Sequence, residues 1–168
     1  MIEAAEALAD PKAVILDTET TGLKGHMVEV AVIRMDGSVV INTLVHPPVP
    51  VEFGAGRVHG ITDAELSGAR VFGEVWNKDL VWALSDRTVW AYNVEFDREV
   101  LRRDLNHAWP GKAREIEKAC GIRYACIMEL RTQFCGFRKR LDGGHRALGD
   151  CQAALDLLKN LADDYDPF

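Results

Sequence analysis

The chain has no long apolar run, no paired-cysteine spacing and no overall excess of basic charge, and each absence removes a class of protein. Its uninterrupted apolar stretches are only a few residues long, such as Ala13-Val14-Ile15-Leu16, whereas a helix that spans a bilayer needs about 20. No membrane association is therefore expected. The opening Met1-Ile-Glu-Ala-Ala-Glu lacks the basic start and apolar core of a secretory leader, so a cytoplasmic location is expected. Cys120, Cys126, Cys135 and Cys151 form no C-x-x-C pair, which argues against a zinc site or a disulfide framework and for reduced thiols. Neither internal repeats nor a linker composition interrupts the 168 residues. A chain of this length buries about two-thirds of its unfolded surface, so one domain is expected over residues 1–168, with its core over about 13–162.

The formal net charge of −6 argues against a protein held to nucleic acid by charge alone. Its distribution says something different. Residues 98–146 hold twelve Lys/Arg (98, 102, 103, 112, 114, 118, 123, 131, 138, 139, 140 and 146) against six acids, a net +6 that leaves −12 on the rest. A basic region beside an acidic one suits a metal-using nuclease, and it is equally what solvated helices carry.

Residues 13–17 form an apolar, β-branched run closed by Thr20-Thr21-Gly22, which reads as a buried first strand. Two further strands, 27–35 and 39–45, are joined by the hairpin pair Asp36-Gly37. Pro47, Pro48 and Pro50 stop the sheet, and a loop then carries residues 57–62 into a helix capped by Thr62 or Asp63. A helix over 72–84 and a fourth strand over 88–92 follow, and Asn93 stands where it could cap a helix from Val94 to about Leu105. Past Pro110-Gly111 a short helix and a fifth strand near 122–125 are expected. Leu148, Cys151, Leu155, Leu158 and Leu161 give the last helix, 147–162, its apolar face after the breaker Gly143-Gly144. The fold class is α/β, with a mixed central sheet of about five strands flanked by helices.

Asp17 and Glu19, two apart at the end of the first strand, project from one face while Thr18 points the other way. Two unpaired carboxylates there would repel each other, which makes sense if divalent cations lie between them. Asp-x-Glu is common by chance, and a solvated strand end is the competing reading. Asp97 fits a helix-dipole partner as well as a functional acid. Asp150 is more informative, because an acid inside an otherwise apolar helix is rare unless it is paired or binds metal. His145, five residues earlier and just after two glycines, would stand at the helix start facing the same place.

Together, Asp17-x-Glu19 on a first strand, Asn93-x-x-x-Asp97 after a fourth and His145-x-x-x-x-Asp150 at the last helix resemble the three motifs of the DEDDh exonucleases. Val58-His59-Gly60-Ile61-Thr62 matches a further segment of that superfamily, whose members include proofreading epsilon subunits, ribonuclease T and oligoribonuclease. Residues 126–130 and 145–151 look most like exonuclease X. Tyr92 departs from the pattern, since many members carry histidine before the asparagine. The resemblance implies a ribonuclease H-like fold in which Asp17, Glu19, Asp97 and Asp150 hold two Mg²⁺ or Mn²⁺ ions and His145 is the general base. It implies 3′-to-5′ hydrolysis of DNA, with single-stranded 3′ ends preferred and nucleoside 5′-monophosphates released. Thr20, Leu23, Lys24 and Asn93 would contact the terminal nucleotide, and a polymerase or repair partner is an expected associate. Three alternatives stay open: the same chemistry on RNA, a non-catalytic module that binds nucleic acid or a polymerase, and a one-metal hydrolase built on His145 and Asp150.

Overall fold

A computed structural model describes residues 2–136, 141 and 143–163 of the chain. The elements are α1 (Ile2–Ala9), β1 (Ala13–Thr20), β2 (Met27–Arg34), β3 (Val39–His46), α2 (Phe53–His59), α3 (Asp63–Leu66), β4 (Arg70–Val71), α4 (Phe72–Val75), a π-helical turn (Trp76–Leu80) and α5 (Val81–Leu84). They continue with β5 (Thr88–Ala91), α6 (Val94–Ala108), α7 (Ala113–Ala119), β6 (Arg123–Cys126), α8 (Ile127–Cys135) and α9 (Ala147–Asp163). Arg138, Lys139, Arg140 and Asp142, part of the charge count above, lie outside the described residues.

Among the described residues the sheet has six strands in the order β4-β3-β2-β1-β5-β6. The meander β1-β2-β3 is antiparallel, whereas β5 runs parallel to β1, and β6 to β5. The strand not expected from sequence is β4, two residues parallel to the end of β3. It is too short for any residue pattern to mark it, and its pairing comes from the chain crossing the sheet edge. Every residue of β2 before Arg34 is buried. That is the signature of a strand covered on both faces rather than one facing water.

Strand periodicity sorts the core into two layers. Val14 and Leu16 join Val30 and Val32 under α4, the π turn, α5 and α6, while Ala13 and Ile15 join Ala31 and Ile33 under α9, α1 and α8. The expected helix over 72–84 forms as two α-helical turns around the π turn, which keeps Trp76 and Leu80 in the core and Phe72 stacked on Trp76. Residues 57–59, expected in a loop, belong to α2. Its Gly54 and Gly56 lower helix propensity, yet α2 ends in a left-handed Gly60 (φ 73°) and buries His59 against β1. Thr62 caps α3 through a reciprocal capping box with Glu65. Asn93 occupies the position before α6, but its side chain makes no capping hydrogen bond; its carbonyl accepts from the Phe96 N–H instead. No described helix is long and apolar enough to cross a membrane.

Candidate active site

The candidate site residues converge where β1 leaves the sheet. Asp17 and Glu19 continue the odd-numbered series of Ala13 and Ile15, so they lie on the α9 side of the strand. Thr18 faces the other layer and donates to Asp97 Oδ1 at 2.8 Å. Asp97 stands in the first turn of α6 and is only 5% exposed. A strand end and a helix N-terminus are thereby joined through one hydroxyl, 79 residues apart in sequence.

The third side comes from α9. Asp150 belongs to its first turn and is half-buried, not enclosed among leucines as the sequence suggested. One carboxylate oxygen from each of Asp17, Glu19 and Asp150 lies within 4.8 Å of the others. His145 precedes the helix with a left-handed backbone (φ 55°) and an exposed side chain. A non-glycine residue in that region is strained by about 1–3 kcal/mol, so the surroundings must hold it there. Asp17, Glu19, Asp97, Asp150, His145 and Asn93 all line a single cavity of about 330 Å³, together with Phe96 and Met128.

A second cavity of about 420 Å³ adjoins it and shares Glu19 and Phe96. Its lining includes Thr20, Leu23, Val58 and His59, so two of the residues expected to touch substrate, Thr20 and Leu23, lie here. Leu23 is 89% exposed on the rim. Lys24, expected beside it, is exposed on the turn and lines neither cavity. His59 fixes the floor: its Nδ1 accepts from the Ile61 N–H, so its Nε2 carries the proton and donates to the Thr20 carbonyl at 3.2 Å.

The electrostatics are those of several carboxylates crowded together. Burial, then the neighbouring charges of Asp97, Asp150, Glu19 and Glu29, hold Asp17 well above the usual carboxylate range. Burial and the charges of Asp150, Glu29 and Asp97 push Glu19 up to about 7, against a lowering contribution from Arg146. Asp97 is pushed up to about 7 by burial, opposed by the hydrogen bond from Thr18. Every donor in the cluster is a carboxylate oxygen, the hard ligand that Mg²⁺ and Mn²⁺ take, and bound cations would relieve the repulsion. The residues present fit such ions.

Sequence reasoning overlooked two members of this neighbourhood. Glu29, in β2, is paired in register with Glu19 and is 4% exposed. Arg146 had been counted only as one charge among twelve. The signal for Glu29 was available, since it is the one acid inside the apolar run of β2.

Comparison with known proteins places these features in a family. A family model described as exonuclease matches residues 14–158. An uncharacterized exonuclease of Escherichia phage 186 is 28% identical over 178 aligned positions, which cover 89% of this chain and 87% of that protein. Exodeoxyribonuclease 10 of Escherichia coli K12 is 31% identical over 151 positions, covering 86% of this chain and 66% of its own length. For DNA polymerase III subunit epsilon of Rickettsia prowazekii the identity is 33% over 139 positions, 78% of this chain and 59% of that one. The chain thus spans about three-fifths to two-thirds of these two relatives. Among solved structures, exonuclease X in complex with 5′ overhanging duplex DNA superposes with a TM-score of 0.57 at 27% identity, over 91% of this chain and 92% of that one. Escherichia coli exonuclease I in complex with single-stranded DNA shares the fold, with a TM-score of 0.74 at 16% identity over 92% of this chain and 41% of its own.

Proposed function

Because the chain belongs to the exonuclease family, we propose that it is a 3′-to-5′ exodeoxyribonuclease that removes nucleoside 5′-monophosphates from single-stranded 3′ ends. The observation that carries this reading is the convergence of Asp17, Glu19, Asp97, Asp150 and His145 on one cavity from three separate elements. Relatives named as exodeoxyribonuclease and as a polymerase subunit favour DNA as the substrate and a polymerase or repair protein as a partner.

In this reading two Mg²⁺ or Mn²⁺ ions, held by Asp17, Glu19, Asp97 and Asp150, would supply activation of the attacking water and charge stabilisation at the departing 3′ oxygen. The protein does the rest. His145 accepts the proton of the attacking water, and its exposed position lets that proton pass on to solvent. Asn93 lines the reacting cavity and orients the scissile phosphate. Leu23 and Val58 on the rim and Phe96 between the cavities receive the terminal base, where apolar contact contributes roughly 1–3 kcal/mol per base.

The test uses 5′-labelled single-stranded DNA, duplex DNA and RNA, each with Mg²⁺ and with EDTA. Stepwise shortening from the 3′ end, release of 5′-monophosphates and loss of both in EDTA are expected, fastest on single-stranded DNA. Asp17→Ala and His145→Ala should each lower kcat by about 10²–10⁴-fold. Full activity in either variant would sink the assignment of roles, and faster shortening of RNA would transfer the reading to an exoribonuclease.

A further inference from the structure

Glu29 is buried in the middle of the sheet, opposite Glu19, where a second carboxylate can only raise the repulsion around the site. Its side chain is nonetheless fully engaged. Arg146 Nε donates to Oε1 at 3.1 Å and to Oε2 at 3.0 Å, and Nη2 donates to Oε1 at 2.5 Å. The Ala147 N–H, at the first position of α9, donates to Oε2 at 2.9 Å. One carboxylate on β2 therefore grips both the side chain before α9 and the helix's first amide, across 117 and 118 residues of sequence.

The residues on either side of this grip are the ones that matter. His145 immediately precedes Arg146 and holds a strained left-handed backbone. Asp150 follows by one turn, and its N–H donates to the Arg146 carbonyl at 2.9 Å. We propose that Glu29 and Arg146 form a positioning clasp, which sets His145 and Asp150 against Asp17 and Glu19 while touching neither substrate nor the reacting atoms. The inference rests on the exonuclease reading for its kinetic consequences only. Arg146 is half-exposed, at 51%, and an exposed arginine near a nuclease site could instead receive a phosphate. Commitment of both Nε and Nη2 to one buried carboxylate favours positioning, because it fixes the guanidinium plane against β2, and the N–H groups left over are what a KM measurement reads.

The experiment compares Glu29→Gln, Arg146→Met and Arg146→Lys with the wild-type full chain. It measures kcat and KM on single-stranded DNA, Mn²⁺ affinity by calorimetry without nucleic acid, and folding by circular dichroism. Glu29→Gln and Arg146→Met are expected to lose about 10–100-fold in kcat at unchanged KM and to bind Mn²⁺ more weakly, the size of effect seen when residues that orient ligands are changed. Arg146→Lys should recover part of both. A fall in either kcat at constant KM or Mn²⁺ affinity supports the clasp. It is overturned if both quantities stay within about twofold of wild type, or if KM rises while kcat and Mn²⁺ affinity are kept, which marks Arg146 as a substrate contact. Should Glu29→Gln fail to fold, the two substitutions at the exposed Arg146 decide. A wild-type protein without nuclease activity would end the exonuclease reading, and the Mn²⁺ titrations would still judge the clasp.

Discussion

Asp97 is held in surroundings that oppose its charge, and its titration has a measurable consequence. Its pKa in the folded protein is pushed up to about 7 by burial, against about 3.9 in an unfolded chain. The metal-free folded state therefore holds a proton there that the unfolded state has already released between about pH 4 and 7. Stability from this site is complete below the unfolded value and is lost as pH rises through the folded one; Asp17 and Glu19 shift the same way. Asp97→Asn keeps an acceptor for Thr18 and removes the buried charge. In metal-free protein at pH 8 it should stabilise by on the order of 2 kcal/mol, a Tm rise of roughly 5 °C, and the gain should shrink at pH 5. Thermal melts of both proteins in EDTA at the two pH values check this, and a lower Tm for the variant at pH 8 would contradict it. The sequence left Asp97 undecided between dipole partner and functional acid because burial is a property of packing. Only the packing of α6 on β1, where Thr18 meets it, shows how little water reaches it.

At the scale of elements, the start of α9 decides whether three acids become one site. Gly143 packs directly on that turn: a Cβ there would overlap Asp150 Oδ1 and lie 2.5 Å from the Asp150 Cα. Its carbonyl also lies against Gly149, where an added Cβ would collide with it. Gly143→Ala should therefore displace Asp150 while sparing the core. A shift near 1 Å in a reacting group costs on the order of 10²-fold in rate, so kcat should fall by at least about tenfold with a Tm within a few degrees of wild type. Unchanged kcat would mean that the turn does not set Asp150. The strands and the long helices α6 and α9 were legible because their apolar periodicity is strong. By contrast, α2 was not: Gly54 and Gly56 lower helix propensity, residues 57–59 were expected in a loop, and the contact of His59 with the Thr20 carbonyl leaves no local pattern. Nor did α1 and α8 stand out, since Ala4 and Ala7 in one and Ile127 and Leu130 in the other gain their meaning only from the layer they complete.

For the whole molecule, the two layers divide the labour. One, under α4–α6, is the larger hydrophobic cluster, and the other, under α9, α1 and α8, underlies the helix that carries Asp150. Leu158 is fully buried in the second layer, two turns beyond Asp150 on the same helix. Leu158→Ala should destabilise by about 2–5 kcal/mol, a Tm drop of roughly 5–15 °C followed by circular dichroism, with activity retained below the new midpoint. A loss of activity without a loss of stability would show that packing and site are not separable in this way. Strand periodicity and the spacing of Asp17, Glu19, Asp97, His145 and Asp150 were determined by sequence alone, because alternation along a strand and turns of a helix are local geometry. So was the α/β class. Tertiary structure alone decided that Thr18 joins β1 to α6, that His59 floors a second cavity and that Glu29 holds Arg146. Each is a contact between residues many positions apart, and only the closing of the sheet brings them within hydrogen-bond distance. Asp17, Glu19, Asp97, His145 and Asp150 are thus local in pattern, but their common cavity is a product of packing.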